Sequence, residues 1–206
     1  MSDKINSFHL DDIAKTKKGE LTRQKLLDAA KDIFGSKGFY NTSVVEITQR
    51  AGVAQGTFYV YFDSKKAIFR QLVIMLNHSI RRKIQMAISE AKTREEKERI
   101  GYKAFFSFVK SNKNLYNIIF EAQWVDEEIY KWYFKTFADG YTEGLKEAMG
   151  KGELRELDPE CLAYCLMGIT IEVGKRWVLW ENGDVPEHIF EDMVDFIFHG
   201  MLASKD

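Results

Sequence analysis

Hydrophobic residues recur along most of the chain at the spacing of one helical face. Leu26, Leu27, Ala30, Ile33 and Phe34 stand at positions i, i+1, i+4, i+7 and i+8, which is the 3.6-residue period of an α-helix. Similar periods continue towards the C-terminus, and no window alternates strictly between apolar and polar residues as a half-buried strand does. The pattern predicts an all-α protein of about nine helices.

Glycine and capping signals divide the first third of the chain into short helices. The first helical pattern starts at Thr22 and ends at Gly38, because glycine adopts the left-handed C-cap conformation without strain. Ser43 opens a capping box with a glutamate three residues later. Gly52 ends this second helix, and a third short helix follows over residues 54–62.

Later helices show similar start and stop signals. Asp63 or Ser64 is expected to cap a long fourth helix, and Thr93 opens a second capping box. Asp158 precedes a proline, the arrangement of a cap followed by Pro at the first helical position. That helix is predicted to run to about residue 182, where Gly183 ends it.

Composition agrees with a soluble globular protein and suggests its divisions. The 206 residues are 45% hydrophobic, with a formal net charge of -1. The longest nearly apolar run, 161–171, is far shorter than the roughly 20 residues that span a bilayer, and no secretory signal opens the chain. We expect a cytoplasmic protein with a mobile arm over 1–20, a first domain over 21–70 and a second over 71–206.

Charge is distributed unevenly between the two expected domains. Residues 1–70 carry 12 Lys and Arg against 8 Asp and Glu, whereas residues 71–206 carry 18 against 23. A basic first domain on an acidic second one suggests that the first meets a polyanion such as nucleic acid.

Signals for catalysis, metals and redox chemistry are weak. Residues 144–152 have the glycines and lysine of a phosphate loop, but the spacing is one residue too long and no Ser or Thr follows the lysine. The four histidines are scattered, and Cys161 and Cys165 are interpreted as small hydrophobic residues rather than a redox pair. We expect no enzyme, no cofactor and no metal site.

The informative stretch, residues 42–65, reads as two short helices joined by a glycine turn. This helix-turn-helix arrangement places its second helix in the major groove of DNA. Phe58 faces inwards at helical spacing, whereas Gln55 and Thr57 face outwards, where they suit adenine edges and thymine methyl groups. Gly56 lacks a side chain, so the backbone can approach the duplex closely.

The segments Gly38-Phe-Tyr-Asn-Thr-Ser-Val-Val-Glu-Ile and Ala51-Gly-Val-Ala-Gln-Gly-Thr-Phe-Tyr-Val-Tyr-Phe-Asp-Ser-Lys-Lys resemble the N-terminal domain of TetR-family (tetracycline-repressor-like) transcription factors. The match covers roughly residues 20–70. The resemblance implies a homodimer whose two recognition helices enter successive major grooves of a palindromic operator. It also implies a helical C-terminal domain that binds a small molecule and releases the DNA.

The resemblance also assigns DNA contacts, position by position. Contacts with phosphates are implied for Thr42, Ser43, Tyr59, Tyr61 and Lys65. Contacts with bases and backbone are implied for Ala54, Gln55, Gly56 and Thr57. Relatives often carry Ser at the position of Ala54 and His at that of Tyr61, and Gln55 is the first candidate for reading sequence. The alternative for the two tyrosines is a packing role.

The second domain is rich in aromatic residues, and the resemblance implies a ligand pocket within it. Helices around an apolar cavity are a usual ligand site, although aromatic stripes also form ordinary cores. The candidate pocket residues are Phe105, Phe106, Val109, Tyr116, Phe120, Trp124, Phe134, Phe137, Glu172 and Arg176. The segment 120–130 faintly resembles members that respond to acyl-coenzyme A thioesters or related lipophiles.

The last two helices carry apolar stripes that the resemblance assigns to a four-helix dimer interface. The candidates are Leu162, Leu166, Ile169, Val173, Ile189, Met193, Ile197 and Met201. Their alternative is the internal core. Together with the resemblance, the sequence predicts a dimeric, ligand-responsive repressor that binds double-stranded DNA and is released by a small effector of lipophilic or acyl-CoA-like character. The competing hypothesis is a helical lipophile- or thioester-binding protein without a DNA role.

Overall fold

The structure, a computed structural model, describes residues 16–201. Over this range the chain forms nine α-helices, one π-helical segment and no strand. The α-helices are α1 Lys17–Lys37, α2 Val44–Ala51, α3 Gln55–Tyr61, α4 Lys65–Ala87, α5 Arg94–Ser111, α6 Lys113–Val125, α7 Glu127–Gly150, α8 Pro159–Val173 and α9 Glu187–Met201. The all-α prediction is confirmed for this part of the chain.

The capping signals of the sequence fix the helix ends as predicted. Ser43 and Thr93 each form a complete capping box, and the Asp158 side chain accepts a hydrogen bond from the N–H of Cys161 before α8. Gly38 and Gly52 end α1 and α2 with φ of 83° and 68°. These are local interactions between residues close in the chain, so the sequence alone specifies them.

The first helix starts earlier than its hydrophobic pattern. Thr16 caps α1 by accepting a hydrogen bond from Gly19, and the helix begins at Lys17 rather than at Thr22. The first turns bury no side chain and leave Leu21 exposed, so periodicity could not reveal them. Residues 17–20 of the predicted arm therefore belong to α1. The rest of the predicted arm, residues 1–15, lies outside the described residues, apart from the cap Thr16.

Two later boundaries also differ from the predictions. Ser64, rather than Asp63, caps α4. The helix predicted over 159–182 is α-helical only to Val173 and continues as a π-helix over Gly174–Trp180. A Cβ on Gly174 would lie 3.3 Å from the Phe105 ring, so the missing side chain allows this segment to pack closely on α5.

The helices form two packed units, which α4 connects. Helices α1–α3 pack around Phe34, Ile47 and Phe58, which are buried, and α1 also packs against α6. Helix α4 continues from this first unit into the second, where it packs against α5, α6 and α7, and α8 packs on α7. Ion pairs Arg99–Glu191 and Lys103–Glu187 tie α9 to α5.

Among the helices of residues 16–201, none has the length and apolar character needed to cross a bilayer.

Candidate DNA-binding surface and ligand cavity

Main-chain hydrogen bonds hold the corner between α2 and α3. Gly52 adopts the left-handed conformation, its N–H donates to the carbonyls of Gln49 and Thr48, and the N–H of Val53 donates to Thr48 at 3.0 Å. Below the corner, Phe58 is fully buried. These bonds hold α3 at a fixed angle to α2, as a helix-turn-helix requires.

The outer face of α3 is open to solvent. Ala54, Gln55 and Gly56 are exposed, and Tyr59 and Val60 each expose more than half of their surface. A Cβ added at Gly56 would meet no atom within 4 Å, so nothing inside the protein requires glycine there. Val60 is a further exposed residue of this face, and nothing in the sequence pattern indicated a role for it.

The remaining predicted DNA contacts lie at the margins of this face. Thr57 and Tyr61 are half-buried, and Ser43 is exposed. The Ser43 hydroxyl already accepts from the N–H of Glu46 and donates to the Glu46 carboxylate at 2.9 Å. Its DNA role, like those of Thr57 and Tyr61, stays a prediction.

Thr42 and Lys65 have internal partners that the sequence did not reveal. Thr42 is only 3% exposed and its hydroxyl donates to the Gly38 carbonyl at 2.7 Å. The phosphate contact of Thr42 stays a prediction, for a residue whose hydroxyl already has an internal partner. The Lys65 ammonium donates to the carbonyls of Phe39 and Thr42 at 2.7 and 2.6 Å. Burial lowers the pKa of Lys65, and one of its three N–H groups remains for a phosphate.

A carboxylate on α6 holds the turn between α1 and α2. Both oxygens of Glu121 accept from the Phe39 N–H, at 3.0 and 3.2 Å, and the Tyr40 hydroxyl donates to the Trp124 carbonyl at 3.1 Å. A Cβ on Gly38 would overlap the Glu121 carboxylate. We call this set of contacts, formed by residues 38–40 with Glu121 and Trp124, the α6 latch.

A second connection joins α4 to the start of α7. Asp126 is buried and caps α7 by accepting from the Ile129 N–H at 3.2 Å. The same carboxylate pairs with Arg70 at 3.0 Å and with Lys66 at 3.4 Å. Asp126 therefore links the start of α7 to α4, the helix that follows the helix-turn-helix unit.

The second unit contains a cavity of about 610 Å³ between α4, α5, α7 and α8. Part of its wall is apolar and aromatic. This part includes Phe105, Tyr133, Phe134, Phe137 and Met167. This volume and this lining are typical of sites for small molecules.

Charged side chains form another part of the wall. The basic ones are His78, Arg81, Arg82 and Lys97, and none of these four has a carboxylate partner within 4.0 Å among the described residues. Arg81 lies across Gly140, where an added Cβ would be 3.3 Å from its guanidinium. The glycine on α7 thus makes room for the guanidinium at the cavity wall.

A buried polar cluster also lines the cavity. The Arg94 Nε donates to Glu98 at 2.6 Å, and the Tyr141 hydroxyl donates to the second oxygen of Glu98. Burial, together with Glu98, raises the pKa of Tyr141 well above its ordinary value. Tyr102 lies beside them, and its buried hydroxyl has no hydrogen-bond partner among residues 16–201.

The cavity includes three of the ten predicted ligand residues: Phe105, Phe134 and Phe137. The remaining seven lie outside its walls. The buried ones pack elsewhere in the core, and they are Phe106, Val109 and Tyr116. The others are partly or largely exposed, and they are Phe120, Trp124, Glu172 and Arg176.

Three of the exposed candidates lie away from this cavity and have other surroundings. Trp124 is 76% exposed. Glu172 pairs with Lys175 at 2.6 Å, and Arg176 pairs with Glu181. Sequence reasoning missed the basic side chains of the cavity, although Arg81-Arg82 on the same face as Ile84 and Ile88 was a visible signal.

The predicted dimer stripe divides into buried and partly exposed residues. Leu162, Leu166, Met193 and Ile197 are buried within one chain, and Ile169, Val173 and Ile189 are half-buried. The side chain of Met201 lies outside the described residues. The outer faces of the same helices instead present Tyr164 and Phe196, the latter 72% exposed.

Cys161 and Cys165 are exposed free thiols on the outer face of α8. The prediction that these two cysteines are buried small hydrophobic residues is therefore wrong in the single chain. The proximity of Cys165 raises the pKa of Cys161. No group of three or more potential His, Cys, Asp or Glu ligands comes together in residues 16–201.

Comparison with known proteins identifies the family. Residues 26–72 match the profile of the bacterial regulatory proteins of the tetR family. The chain is 30% identical over 190 residues to the HTH-type transcriptional regulator YdgC of Bacillus subtilis, covering 90% of this chain and 95% of that protein. It is also 27% identical over 164 residues to the fatty acid metabolism regulator protein of Bacillus subtilis, covering 75% and 82%.

The whole fold has close structural counterparts. One is the transcriptional regulator FadR of Bacillus subtilis solved with stearoyl-CoA, with a TM-score of 0.73, 22% identity and coverage of 86% of this chain and 98% of that one. The helix-turn-helix match and the similarity to regulators over nearly the full length favour a transcriptional regulator. They argue against the competing hypothesis of a binding protein without a DNA role. The chain belongs to the TetR family of transcriptional regulators.

Proposed function

We propose that the protein acts as a homodimer on a palindromic operator, with one α3 helix in each of two successive major grooves. Two recognition helices of such a dimer lie about 34 Å apart, one turn of DNA. The exposed, unobstructed face of α3 around Gln55, Gly56 and Tyr59 supports this role. The protein then works in the cytoplasm, where operator DNA is found.

The effector we propose is an acyl thioester of coenzyme A, or a closely related lipophilic anion. The observation that carries this proposal is that one cavity combines aromatic walls with basic side chains. An alkyl chain matches the aromatic walls by the hydrophobic effect, and phosphates match guanidinium groups. The name of the Bacillus subtilis relative and the stearoyl-CoA bound to its structural counterpart point to the same class.

The two connections between the units provide a route for the response. Ligand that fills the cavity acts on α4 and α7, which form its walls. Helix α4 leads directly to the helix-turn-helix unit, and Asp126 couples the start of α7 to Arg70 of α4. A ligand that favours the DNA-free arrangement by about 2.7 kcal/mol lowers operator affinity about 100-fold. The protein is then a repressor relieved by its effector.

The first experiment is to select fragments from the source genome with the purified protein at near-physiological salt. Recovery of one palindrome with half-sites about a turn apart is the expected result. Palmitoyl-CoA should then release a labelled copy of this operator in fluorescence anisotropy, whereas free coenzyme A should not. An operator that stays bound at saturating acyl-CoA, with no bound ligand found by extraction, would refute the effector class.

The dimer is tested through the exposed face of α9. Phe196 is 72% exposed in the single chain, and a partner helix would bury it. Phe196→Glu should convert the protein to a monomer in light scattering and abolish operator binding. Leu21→Glu is a matched control, because Leu21 is also exposed but lies on α1. A Phe196→Glu protein that remains dimeric would show that this face is not the interface.

A further inference from the structure

The polarity of the cavity changes step by step along two of its helices. On α5 the lining residues run from Arg94 through Tyr102 to Phe105, and on α7 they run from Tyr141 to Phe137. Residues 94 and 105 are about 16 Å apart along the helix axis, at about 1.5 Å per residue. On these two helices, Tyr102 and Tyr141 therefore lie next to the aromatic lining residues, on the side of the charged ones.

Tyr102 is the polar residue at this boundary whose hydrogen-bonding capacity is unused. Its side chain is 4% exposed, and its hydroxyl has no hydrogen-bond partner in the described part of the chain. Glu98, the nearest strong acceptor, already receives hydrogen bonds from Arg94 and Tyr141. Burial and the neighbouring Tyr141 and Glu98 raise the pKa of Tyr102 well above its ordinary value, so its hydroxyl keeps its proton and remains a donor.

An unpaired buried hydroxyl is unfavourable, and a ligand that pairs with it gains binding free energy. A plain alkyl chain cannot do this, because it has no acceptor. In an acyl thioester, the carbonyl oxygen lies where the chain joins the polar head group. Along α5, Tyr102 likewise lies between the charged lining residues 94–98 and the aromatic Phe105.

We propose that Tyr102 is a specificity-determining residue, which donates a hydrogen bond to the acyl carbonyl oxygen of the effector. This inference rests on the proposed acyl-thioester effector and goes beyond it. The basic side chains of the cavity select the anionic head, and its aromatic side chains select the chain. Tyr102 distinguishes an acyl group from an alkyl group of the same length.

The test combines one substitution with two ligands. Palmitoyl-CoA carries the carbonyl, and the thioether S-hexadecyl-CoA lacks it but keeps the head group and chain length. Isothermal titration calorimetry of the wild-type protein should give about tenfold tighter binding of the thioester, the value of one hydrogen bond. Tyr102→Phe should bind the two ligands equally, because its affinity falls only for the thioester.

Controls separate this role from a structural one. Tyr116→Phe removes a hydroxyl that is also buried in the second unit but does not line the cavity, and it should keep the wild-type preference. Tyr102→Phe should bind operator DNA normally without ligand, which shows that it folds. A Tyr102→Phe protein that still prefers the thioester tenfold would refute the inference. A wild-type protein that binds neither ligand would instead refute the proposed effector class.

Discussion

The two candidate binding regions of the protein are built in opposite ways. The outer face of α3 is exposed, and a Cβ at its Gly56 would meet nothing within 4 Å. The cavity wall contains the buried Arg94–Glu98 pair, which is held by further hydrogen bonds. The DNA-binding surface can therefore change its side chains without unfolding the protein, whereas a change of charge in the cavity wall also changes the stability of the fold.

The largest effect should come from breaking the charge pair in the cavity wall. Arg94→Met leaves Glu98 buried without its guanidinium, and both side chains are almost fully buried. We expect the free energy of unfolding to fall by about 3–5 kcal/mol in urea denaturation. The double variant Arg94→Met/Glu98→Leu should recover most of this loss. A single variant as stable as the wild type would show that the pair contributes little.

Gly38→Ala should have the next largest effect. Residue 38 has φ of 83°, and an added Cβ would overlap the Glu121 carboxylate. Backbone strain of this kind costs about 1–3 kcal/mol, so the melting temperature should fall by about 2–12 °C in calorimetry. An unchanged melting temperature would mean that the Glu121 side chain moves aside with no loss of stability.

Gly56→Ala should separate DNA binding from stability. Alanine in a helix interior is favoured over glycine by roughly 0.5–1 kcal/mol, and the site has room for the methyl group. Stability should therefore stay constant or rise. Operator affinity in anisotropy should fall about tenfold, or about 1.4 kcal/mol, because the methyl group keeps the duplex away. Unchanged affinity would show that DNA does not approach α3 at residue 56.

Glu121→Gln should affect the response to ligand more than either binding reaction alone. The glutamine oxygen can still accept from the Phe39 N–H, but without the added strength that charge gives to a hydrogen bond. We expect the coupling between effector and operator to change by about 0.5–1 kcal/mol. Operator affinities with and without palmitoyl-CoA measure this coupling, and an unchanged ratio would exclude the α6 latch from the response.

The smallest effect concerns acid stability of the helix-turn-helix unit. Hydrogen bonds from Lys37 and Ser43 lower the pKa of Glu46 from 4.5 to about 2. A carboxyl group with a lowered folded-state pKa stabilises the fold above its unfolded pKa. This contribution is fully present above about pH 4.5 and is lost as the pH falls towards 2. Glu46→Gln should flatten the stability profile in this window only, as followed by circular dichroism.

Local signals made the helix-turn-helix unit predictable from sequence. Its capping box at Ser43 and its turn at Gly52 depend on residues that are close in the chain. The side chain of Lys65 was harder to place, because its partners are main-chain carbonyls at residues 39 and 42. Any residue has such carbonyls, so no sequence pattern reveals them.

The cavity could be predicted in kind but not residue by residue. Its walls depend on how four helices are rotated about their axes, and periodicity shows only which face of each is apolar. Phe105 and Phe106 are adjacent in sequence, yet only the first lines the cavity. Likewise, the room for Arg81 depends on Gly140, which lies on another helix.

The α6 latch has a consequence for how such regulators diverge. Glu121 binds the backbone N–H of residue 39, and the Trp124 carbonyl binds the Tyr40 hydroxyl. A backbone N–H is present in every residue except proline, so this attachment does not depend on the side chains that read DNA. Helix α3 can acquire a new operator sequence while the same body continues to sense the same metabolite. The two specificities of one chain can then evolve separately.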